Sequence, residues 1–383
     1  MGTRIKLGIF YSYDENWIGG SYYIQNLILS LNLLEDNRKP ELIIFSNSEE
    51  NYIYLSSLTN YPYLSSGIQK FTKNIFIRII NKISVKVFST DLLNLGKKKP
   101  DYFFPINHPS INFEFNKNLF WIPDLQEKYL PHFFSKEEIN TRNEFHKHIA
   151  YKENYVLFSS LDALNSFNHF YSNSNSKKFV VPFAVHHPSF KEIDIDDLRL
   201  KYELPNQYFF SPNQFWVHKN HIVLLKALKF LKDKGIYINI VFSGKEFDFR
   251  NKDYTNSLKQ YVIENELQNQ VFFLGFIDRK EQLKIMENSL AVIQPSKFEG
   301  WSSVIEDCKL IGKYLFASSL PVHLEQIKNN VEFFDADNFE ELSQKLDHYI
   351  INPIGVSKIN YIENQVKFGE KFCEMLESIK LSY

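Results

Sequence analysis

The chain has 383 residues, enough for two domains of about 150–200 residues each. Its 44% hydrophobic and 23% charged residues exclude an intrinsically disordered protein, and a net charge of −1 gives no bulk attraction to nucleic acid. Cys308 and Cys373 lie in helix-like segments without a CxxC spacing, which argues against a disulfide framework or a cysteine-rich zinc site. No apolar run reaches the ~20 residues that span a bilayer, and residues 1–10 lack a signal-peptide pattern, so we expect a cytoplasmic protein.

Short apolar runs alternate along the chain with longer stretches of helical periodicity. The first series of runs lies at residues 5–11, 42–45, 102–105, 119–122, 155–159 and 179–182. The second series lies at residues 208–211, 237–243, 271–276, 291–294, 314–317 and 333–334. Helical stretches such as residues 22–34, 221–234 and 280–289 lie between the runs. This alternation is typical of parallel, doubly wound sheets, so the sequence predicts an α/β fold with two such sheets in series.

The apolar rhythm stops near residues 187–204, where a charged stretch intervenes. We therefore predict an N-terminal Rossmann-like domain at residues 1–187 and a C-terminal domain at residues 188–355. The last part of the chain, residues 356–383, reads as one or two amphipathic helices. We expect this helical tail to pack back toward the N-terminal domain.

The segment at residues 70–88 combines apolar and basic residues and contains no acid. Two interpretations remain open. One is a helix that lies on an anionic membrane surface, which would make the protein peripheral on the cytoplasmic face of the membrane. The other is an ordinary amphipathic helix with a basic face toward solvent.

The most informative stretch is QPSKFEGWSSVIEDCKLIG at residues 294–312. An apolar strand ends there, Glu299 and Gly300 follow in a loop, and a helix opens near Ser302 and Ser303. The spacing of Ser303 and Glu306 predicts a capping box at the start of that helix. Its open N-terminus is a natural seat for a diphosphate, and a carboxylate at a strand's carboxyl end can accept hydrogen bonds from sugar hydroxyls.

Two further loops also follow predicted strands. Residues 211–221 read SPNQFWVHKNH and place Lys219 before a helix. Gly19 and Gly20 follow the first strand and let the backbone approach a ligand closely. They do not form a GxGxxG pattern, which argues against a dinucleotide-dependent oxidoreductase.

The tryptophans are distributed in a suggestive way. Each of the four, Trp17, Trp121, Trp216 and Trp301, falls in one of the candidate site loops. Flat aromatic rings suit sugar faces and nucleobases. They suit equally well a role as plugs that pack a cleft between the domains.

These stretches together resemble the family-4 retaining glycosyltransferases, which have the two-domain GT-B fold. The resemblance covers the whole chain and is strongest over residues 209–326. In the family, an acid that contacts the donor sugar is followed, after seven intervening residues, by a second acid that contacts the ribose. Glu299 matches the first acid and Asp307 the second, with Glu306 one residue short as the alternative.

The same resemblance implies how the diphosphate of the donor is held. Lys219 matches a family lysine, and Gln214 stands where an arginine is usual, which removes one positive charge. His218, or the helix end near Glu306, would then compensate. The Gly19–Gly20 loop would face the donor phosphates across the cleft. The resemblance implies neither a metal nor another cofactor.

Two residues of the N-terminal half are candidates for work on the acceptor. Asp124, in a loop after a predicted strand, could orient or deprotonate an acceptor hydroxyl, or it could cap the next turn. His108 could act as a catalyst or be a hydrogen-bonded structural histidine. The sequence leaves both pairs of alternatives open.

The implied reaction is transfer of a sugar, with retention, from a UDP- or GDP-linked donor to a hydroxyl of a glycan or lipid-linked oligosaccharide. Bacterial surface polysaccharide synthesis is the expected setting, with residues 1–187 on the acceptor side and 188–355 on the donor side. Two alternatives stay open: a nucleotide-sugar epimerase on the same fold, and a catalytically silent donor-binding partner of another transferase.

Overall fold

A computed structural model describes residues 4–13, 18–46, 48–67, 100–107, 118–152 and 154–381. The predictions about Trp17, His108 and the basic segment 70–88 lie outside these residues. Within them, no helix combines the length and the apolar character needed to cross a bilayer.

The N-terminal half contains a sheet of seven strands in the order β3-β2-β1-β4-β5-β6-β7. These strands are β1 (Lys6–Phe10), β2 (Glu41–Phe45), β3 (Leu64–Ser66), β4 (Tyr102–Ile106), β5 (Asn118–Ile122), β6 (Tyr155–Phe158) and β7 (Lys177–Val180). Every neighbouring pair is parallel. The edge strand β3 was missed because its sequence, LSS, contains a single apolar residue and forms no apolar run.

The helices of this half are α1 (Ile18–Asn32), α2 (Glu49–Thr59), α3 (Gln126–Tyr129), α4 (Lys136–Tyr151) and α5 (Leu161–Phe170). Serines begin three of them: Ser48 caps α2, Ser135 forms a capping box with Glu138 at α4, and Ser160 caps α5. Each side-chain oxygen accepts a backbone N–H of the first turn that the helix itself leaves unpaired.

The C-terminal half contains a second parallel sheet, of six strands in the order β10-β9-β8-β11-β12-β13. Its strands are β8 (Phe209–Pro212), β9 (Ile240–Ser243), β10 (Val271–Phe273), β11 (Val292–Gln294), β12 (Leu315–Ser318) and β13 (Val331–Phe334). Strands β8, β9, β11 and β12 are buried at every residue, which explains their unbroken apolar runs. The prediction of two parallel α/β sheets in series is confirmed.

The helices around the second sheet are α6 (Ile195–Tyr202), α7 (His221–Asp233), α8 (Tyr254–Glu264), α9 (Arg279–Asn288), α10 (Ser303–Ile311), α11 (Pro321–Gln326) and α12 (Phe339–Ile351). The last helix, α13 (Ile362–Lys380), packs on the first sheet, where Phe368 and Phe372 share a core with Leu27 on α1. Gly369 allows this close approach, since a Cβ there would lie 2.7 Å from the Ser30 carbonyl oxygen. The proposed boundaries at residues 187 and 355 stay a prediction.

Candidate active site

A cleft between the two halves holds two adjoining cavities, of about 620 and 390 Å³. The larger cavity is lined mainly by the N-terminal half, including Trp121 and Asp124. The smaller is lined mainly by the C-terminal half, including Gln214 and Lys219. Residues that line both cavities include Gly19, Tyr22, Arg279, Glu299, Trp301 and Ser303. The cleft therefore lies at the carboxyl ends of the strands, where open α/β sheets bind ligands.

Glu299 and Lys219, predicted from separate stretches of the chain, form one ion pair. Lys219 Nζ lies 2.6 Å from Glu299 Oε1, and the two side chains are 15% and 9% exposed. The same oxygen also accepts hydrogen bonds from Gln294 Nε2 at 2.8 Å and Ser296 Oγ at 2.7 Å. Within the described residues, no hydrogen bond reaches Glu299 Oε2, so this oxygen is available to a ligand.

The loop that carries Glu299 is anchored by the Lys219 segment itself. The His218 carbonyl accepts the backbone N–H of Lys297 at 2.8 Å, and the Asn220 side chain donates to the Pro295 carbonyl at 3.1 Å. These bonds join the loop after β8 to the loop after β11. The lysine and the carboxylate therefore keep their mutual distance.

Helix α10 begins one residue earlier than its predicted capping box requires. Ser302 is the N-cap, and its Oγ accepts from the Ile305 N–H at 3.4 Å. The predicted capping box of Ser303 and Glu306 is therefore wrong, because the adjacent Ser302 takes the cap position. Ser302 and Ser303 line the smaller cavity, so the N-terminus of α10 opens on the cleft, as predicted for a diphosphate seat.

Glu306 points away from both cavities. Its carboxylate accepts from Lys309 Nζ at 2.8 and 2.9 Å, from Gln326 Nε2 at 2.8 Å and from the Tyr361 hydroxyl at 2.5 Å. The Tyr361 hydroxyl also accepts the Val185 N–H at 2.9 Å. Glu306 thus links α10, through Tyr361, to the chain segment that connects the two halves. Because its carboxylate is used in these contacts, the structure does not favour Glu306 as the alternative ribose contact.

Asp307 lines the smaller cavity and is buried, with its side chain 2% exposed. Its Oδ1 accepts from Arg279 Nη2 at 2.5 Å and pairs with His187 Nε2 at 2.8 Å. Burial raises the pKa of the Asp307 carboxyl, but Arg279 and His187 outweigh burial and hold the pKa below its ordinary value. An ionised Asp307 therefore faces the cavity, and its role at the ribose stays a prediction.

His218 cannot supply the positive charge that Gln214 lacks. Its side chain is buried, and within the described residues it lines neither cavity. Burial, helped by the neighbouring Lys219 and Arg250, lowers the pKa of His218 well below its ordinary value. The imidazole is neutral at physiological pH, so the expected compensation by His218 is wrong. Gln214 itself does line the smaller cavity.

Gly300 lies at a contact between the C-terminal half and the N-terminal half. A Cβ at Gly300 would lie 2.3 Å from the Pro123 carbonyl oxygen and 2.9 Å from the Asp124 Cβ. Asp124 Oδ1 accepts the Gln126 N–H at 3.0 Å, so this carboxylate does cap the following turn. Burial raises the pKa of Asp124. Because Asp124 also lines the larger cavity, its two predicted roles do not exclude each other.

The comparison with known proteins bears on residues 194–370, which match the family model described as glycosyl transferases group 1. The C-terminal half of the chain is therefore similar to this family. One similar protein is the O-antigen chain mannosyltransferase RfbU of Salmonella typhimurium, which is 25% identical over 171 residues. This match covers 45% of the chain and 46% of RfbU, so it spans about half the length of that relative. The match supports the predicted resemblance of this half to glycosyltransferases.

Solved structures extend the likeness to the whole fold. Anabaena HepE in complex with UDP and glucose is 16% identical and has a TM-score of 0.66, over 98% of this chain and 100% of HepE. A glycosyltransferase from Rickettsia africae ESF-5 is 16% identical with a TM-score of 0.62, over 99% and 98% of the two chains. At these identities the likeness establishes the GT-B fold, which confirms the predicted architecture.

Three tryptophans line the cleft: Trp121, Trp216 and Trp301. Trp121 stacks on Tyr23 with ring centroids 4.2 Å apart, and its Nε1 donates to Ser159 Oγ at 3.1 Å. Trp301 Nε1 donates to the Phe183 carbonyl at 3.0 Å. Both rings are held by the protein and also form cavity walls, so the two predicted roles, packing and contact with a ligand, do not exclude each other.

Gly244 and Arg279 are among the cleft residues that were missed from the sequence. Gly244 follows β9 with φ of 149°, and a Cβ there would lie 2.1 Å from the Asn213 carbonyl oxygen. A glycine directly after a buried strand was the signal that could have revealed it. Arg279 follows β10 and lines both cavities. Its sequence context, DRKEQ, reads as the start of a solvent-exposed helix, so nothing local distinguished it.

Proposed function

We propose that this chain transfers a sugar, with retention of the anomeric configuration, from a UDP- or GDP-linked donor to a hydroxyl of a glycan or lipid-linked oligosaccharide. The observation that carries the proposal is the Lys219–Glu299 ion pair, which lines the cleft beside the N-terminus of α10. It places a cation, a hydroxyl-binding carboxylate and free backbone N–H groups around one space. A nucleoside diphosphate sugar needs all three.

The donor would lie in the smaller cavity, against residues 188–355. Lys219, the Ser302–Ser303 helix start and the Gly19 backbone would surround its diphosphate. Negative charge grows on the departing diphosphate in the transition state, and preorganised donors stabilise it most effectively in a site that excludes water. Glu299 would accept hydrogen bonds from the sugar, and Asp307 from the ribose. These cationic and backbone groups are the reason to expect no metal requirement.

The acceptor would enter the larger cavity on the side of residues 1–187. Asp124 lies on this side with one carboxylate oxygen bound to the Gln126 N–H, which leaves the other to orient the attacking hydroxyl. The raised pKa of Asp124 suits a group that takes up a proton during the reaction. The walls formed by Trp121 and Trp301 suit the flat faces of sugar rings.

The functions of similar proteins support the proposed class of substrates. RfbU is named as an O-antigen chain mannosyltransferase, which favours a surface polysaccharide as the product. HepE was solved with UDP and with UDP-glucose, which favours a nucleoside diphosphate sugar as the donor. We accordingly place the reaction in bacterial surface polysaccharide synthesis, at the cytoplasmic face of the membrane.

A thermal-shift panel of UDP- and GDP-sugars tests the proposal on the wild type, Glu299→Ala and Glu299→Gln. We expect one donor to raise the unfolding temperature of the wild type by a degree or more and both variants to weaken the effect. The selected donor is then incubated with acceptor glycans and the products are weighed by mass spectrometry. Donor binding without transfer would indicate a silent partner, and an epimerised donor without acceptor would indicate an epimerase. No stabilisation by any sugar nucleotide would overturn the proposal.

A further inference from the structure

The proposed diphosphate site is short of positive charge. Lys219 is the one lysine or arginine among the residues predicted to hold the diphosphate, and it is bound to Glu299. Gln214 is neutral and His218 is held neutral by burial. A donor diphosphate would therefore meet one lysine and the backbone of α10, and a second cation is expected from elsewhere in the cleft.

Three cationic side chains line the two cavities within the described residues: Lys219, Arg279 and Lys280. Lys280 lines only the larger cavity and pairs with the exposed Glu192 at 2.8 Å. Arg279 lines both cavities, together with Ser303 and Gly19. It is thus the cation that borders both the proposed diphosphate seat and the space next to it.

Arg279 is held in place from three directions. Its Nη2 donates to Asp307 Oδ1, and its Nη1 donates to Gln282 Oε1 at 2.7 Å. Its guanidinium carbon lies 5.7 Å from the centre of the Tyr22 ring on α1, across the cleft. A guanidinium has more N–H donors than these two contacts use, and it can bind a carboxylate and a phosphate at the same time.

We propose that Arg279 binds the diphosphate of the donor and so replaces the arginine that Gln214 does not provide. This inference rests on the proposed function and adds a residue to its donor site. Asp307 acquires a second role as a positioning residue, because its carboxylate fixes the guanidinium at the edge of the cavity before the donor arrives. Because Arg279 also contacts Tyr22 on α1, its position depends on how closely the N-terminal half approaches the C-terminal half.

The test is equilibrium binding of UDP and GDP, and of uridine and guanosine, to the full chain. The variants are Arg279→Gln, Gln214→Arg with Arg279→Gln, and Lys284→Gln as the matched control. Lys284 lies on the same helix, its removal changes the net charge equally, and it lines neither cavity. We expect Arg279→Gln to weaken binding of the diphosphate about 10- to 100-fold with little effect on the nucleoside. Gln214→Arg should restore most of the loss, and Lys284→Gln should bind like the wild type.

A merely structural role of Arg279, through Asp307, would weaken nucleoside and diphosphate alike, and that result would overturn the inference. Unchanged diphosphate binding in Arg279→Gln would overturn it as well. Should Arg279→Gln fail to fold, Arg279→Lys takes its place, because the lysine keeps a charge for Asp307 but lacks the planar fork that binds a phosphate with two hydrogen bonds. Adding Gln214→Arg to Arg279→Lys should then improve the affinity for the diphosphate. A wild type that binds neither UDP nor GDP would instead overturn the proposed function, and the inference with it.

Discussion

Gly300 and Asp124 come from opposite halves of the chain, and a Cβ on Gly300 would lie 2.9 Å from the Asp124 Cβ. The backbone after Glu299 therefore touches the loop that carries the candidate acceptor-side acid. A glycine is needed there for space, because the Pro123 carbonyl would lie even closer to an added Cβ, at 2.3 Å. Gly300 is thus a point of close contact between the two halves at the cleft.

Gly300→Ala should hold the halves apart. We expect the variant to fold, to bind the donor within a fewfold of the wild type and to transfer sugar at least about tenfold more slowly, since a misplacement of about 1 Å costs about 100-fold in rate. Steady-state kinetics with the identified donor and acceptor measure this. Gly355→Ala is the matched control, because nothing lies within 4 Å of its added Cβ. Equal rates for both alanine variants would contradict the close contact.

The Lys219–Glu299 pair should show strong coupling in a double-mutant cycle. Lys219→Met leaves a largely buried carboxylate without its cation, so we expect a loss of about 1–3 kcal/mol in the free energy of unfolding. Lys219→Met combined with Glu299→Gln should recover part of that stability while transfer stays at least about 100-fold down. Urea unfolding and kcat provide the two measurements. Simple additivity of the two stability losses would argue against a direct pair.

His221 should make the protein sensitive to mild acid. It is fully buried and stacks on Phe215 with ring centroids 4.4 Å apart, and burial lowers its pKa to about 3. The unfolded chain takes up a proton near pH 6.5 and the folded chain does not, so stability is lost as pH falls below 6.5. The loss should reach about 2–3 kcal/mol by about pH 4.5, at 1.36 kcal/mol per pKa unit. His221→Phe keeps the stacked ring, and its unfolding free energy should fall less over this range; an equal fall would contradict the assignment.

Glu325, in the C-terminal half, should stabilise the contact between the two halves by binding the N-terminus of α5 in the N-terminal half. Its carboxylate, on α11, accepts the N–H groups of Leu161 at 2.9 Å and Asp162 at 3.1 Å at the start of α5. Glu325→Ala should cost about 1 kcal/mol, as loss of a cap and of a favourable charge at a helix N-terminus does. Small-angle scattering should also show a wider distribution of distances between the halves. Glu325→Gln, which keeps one acceptor, is the graded control, and wild-type values for the alanine variant would exclude the coupling.

Chelation should leave the reaction unchanged. In the proposed site the charge of the leaving diphosphate is met by Lys219, by Arg279 and by the N-terminus of α10. The transfer rate in EDTA should therefore equal the rate in added Mg²⁺ or Mn²⁺. A rate restored only by a divalent cation would show that the side chains alone do not neutralise the diphosphate.

The local sequence pattern was sufficient to predict the sheets, the strand ends and the helix start that form the site. Two series of apolar runs predicted two parallel sheets, because a strand buried on both faces has no polar side to interrupt it. Glu299 and Lys219 were each predicted to follow a strand, and the resemblance to the family-4 glycosyltransferases assigned both to the donor site. The helix start after Glu299 was predicted correctly, but its cap was placed on Ser303 instead of Ser302, since two adjacent serines have the same local propensity.

The sequence by itself determined the sheets, the strand ends and the residue types offered to a nucleotide sugar. The tertiary structure alone decided which of those residues face the cleft and which are charged. His218 is neutral because the fold buries it, Glu306 is turned inward by Tyr361, and Arg279 reaches the cleft because Asp307 holds it there. Burial and pairing between residues far apart in the chain are properties of the packed whole, and no local sequence pattern encodes them.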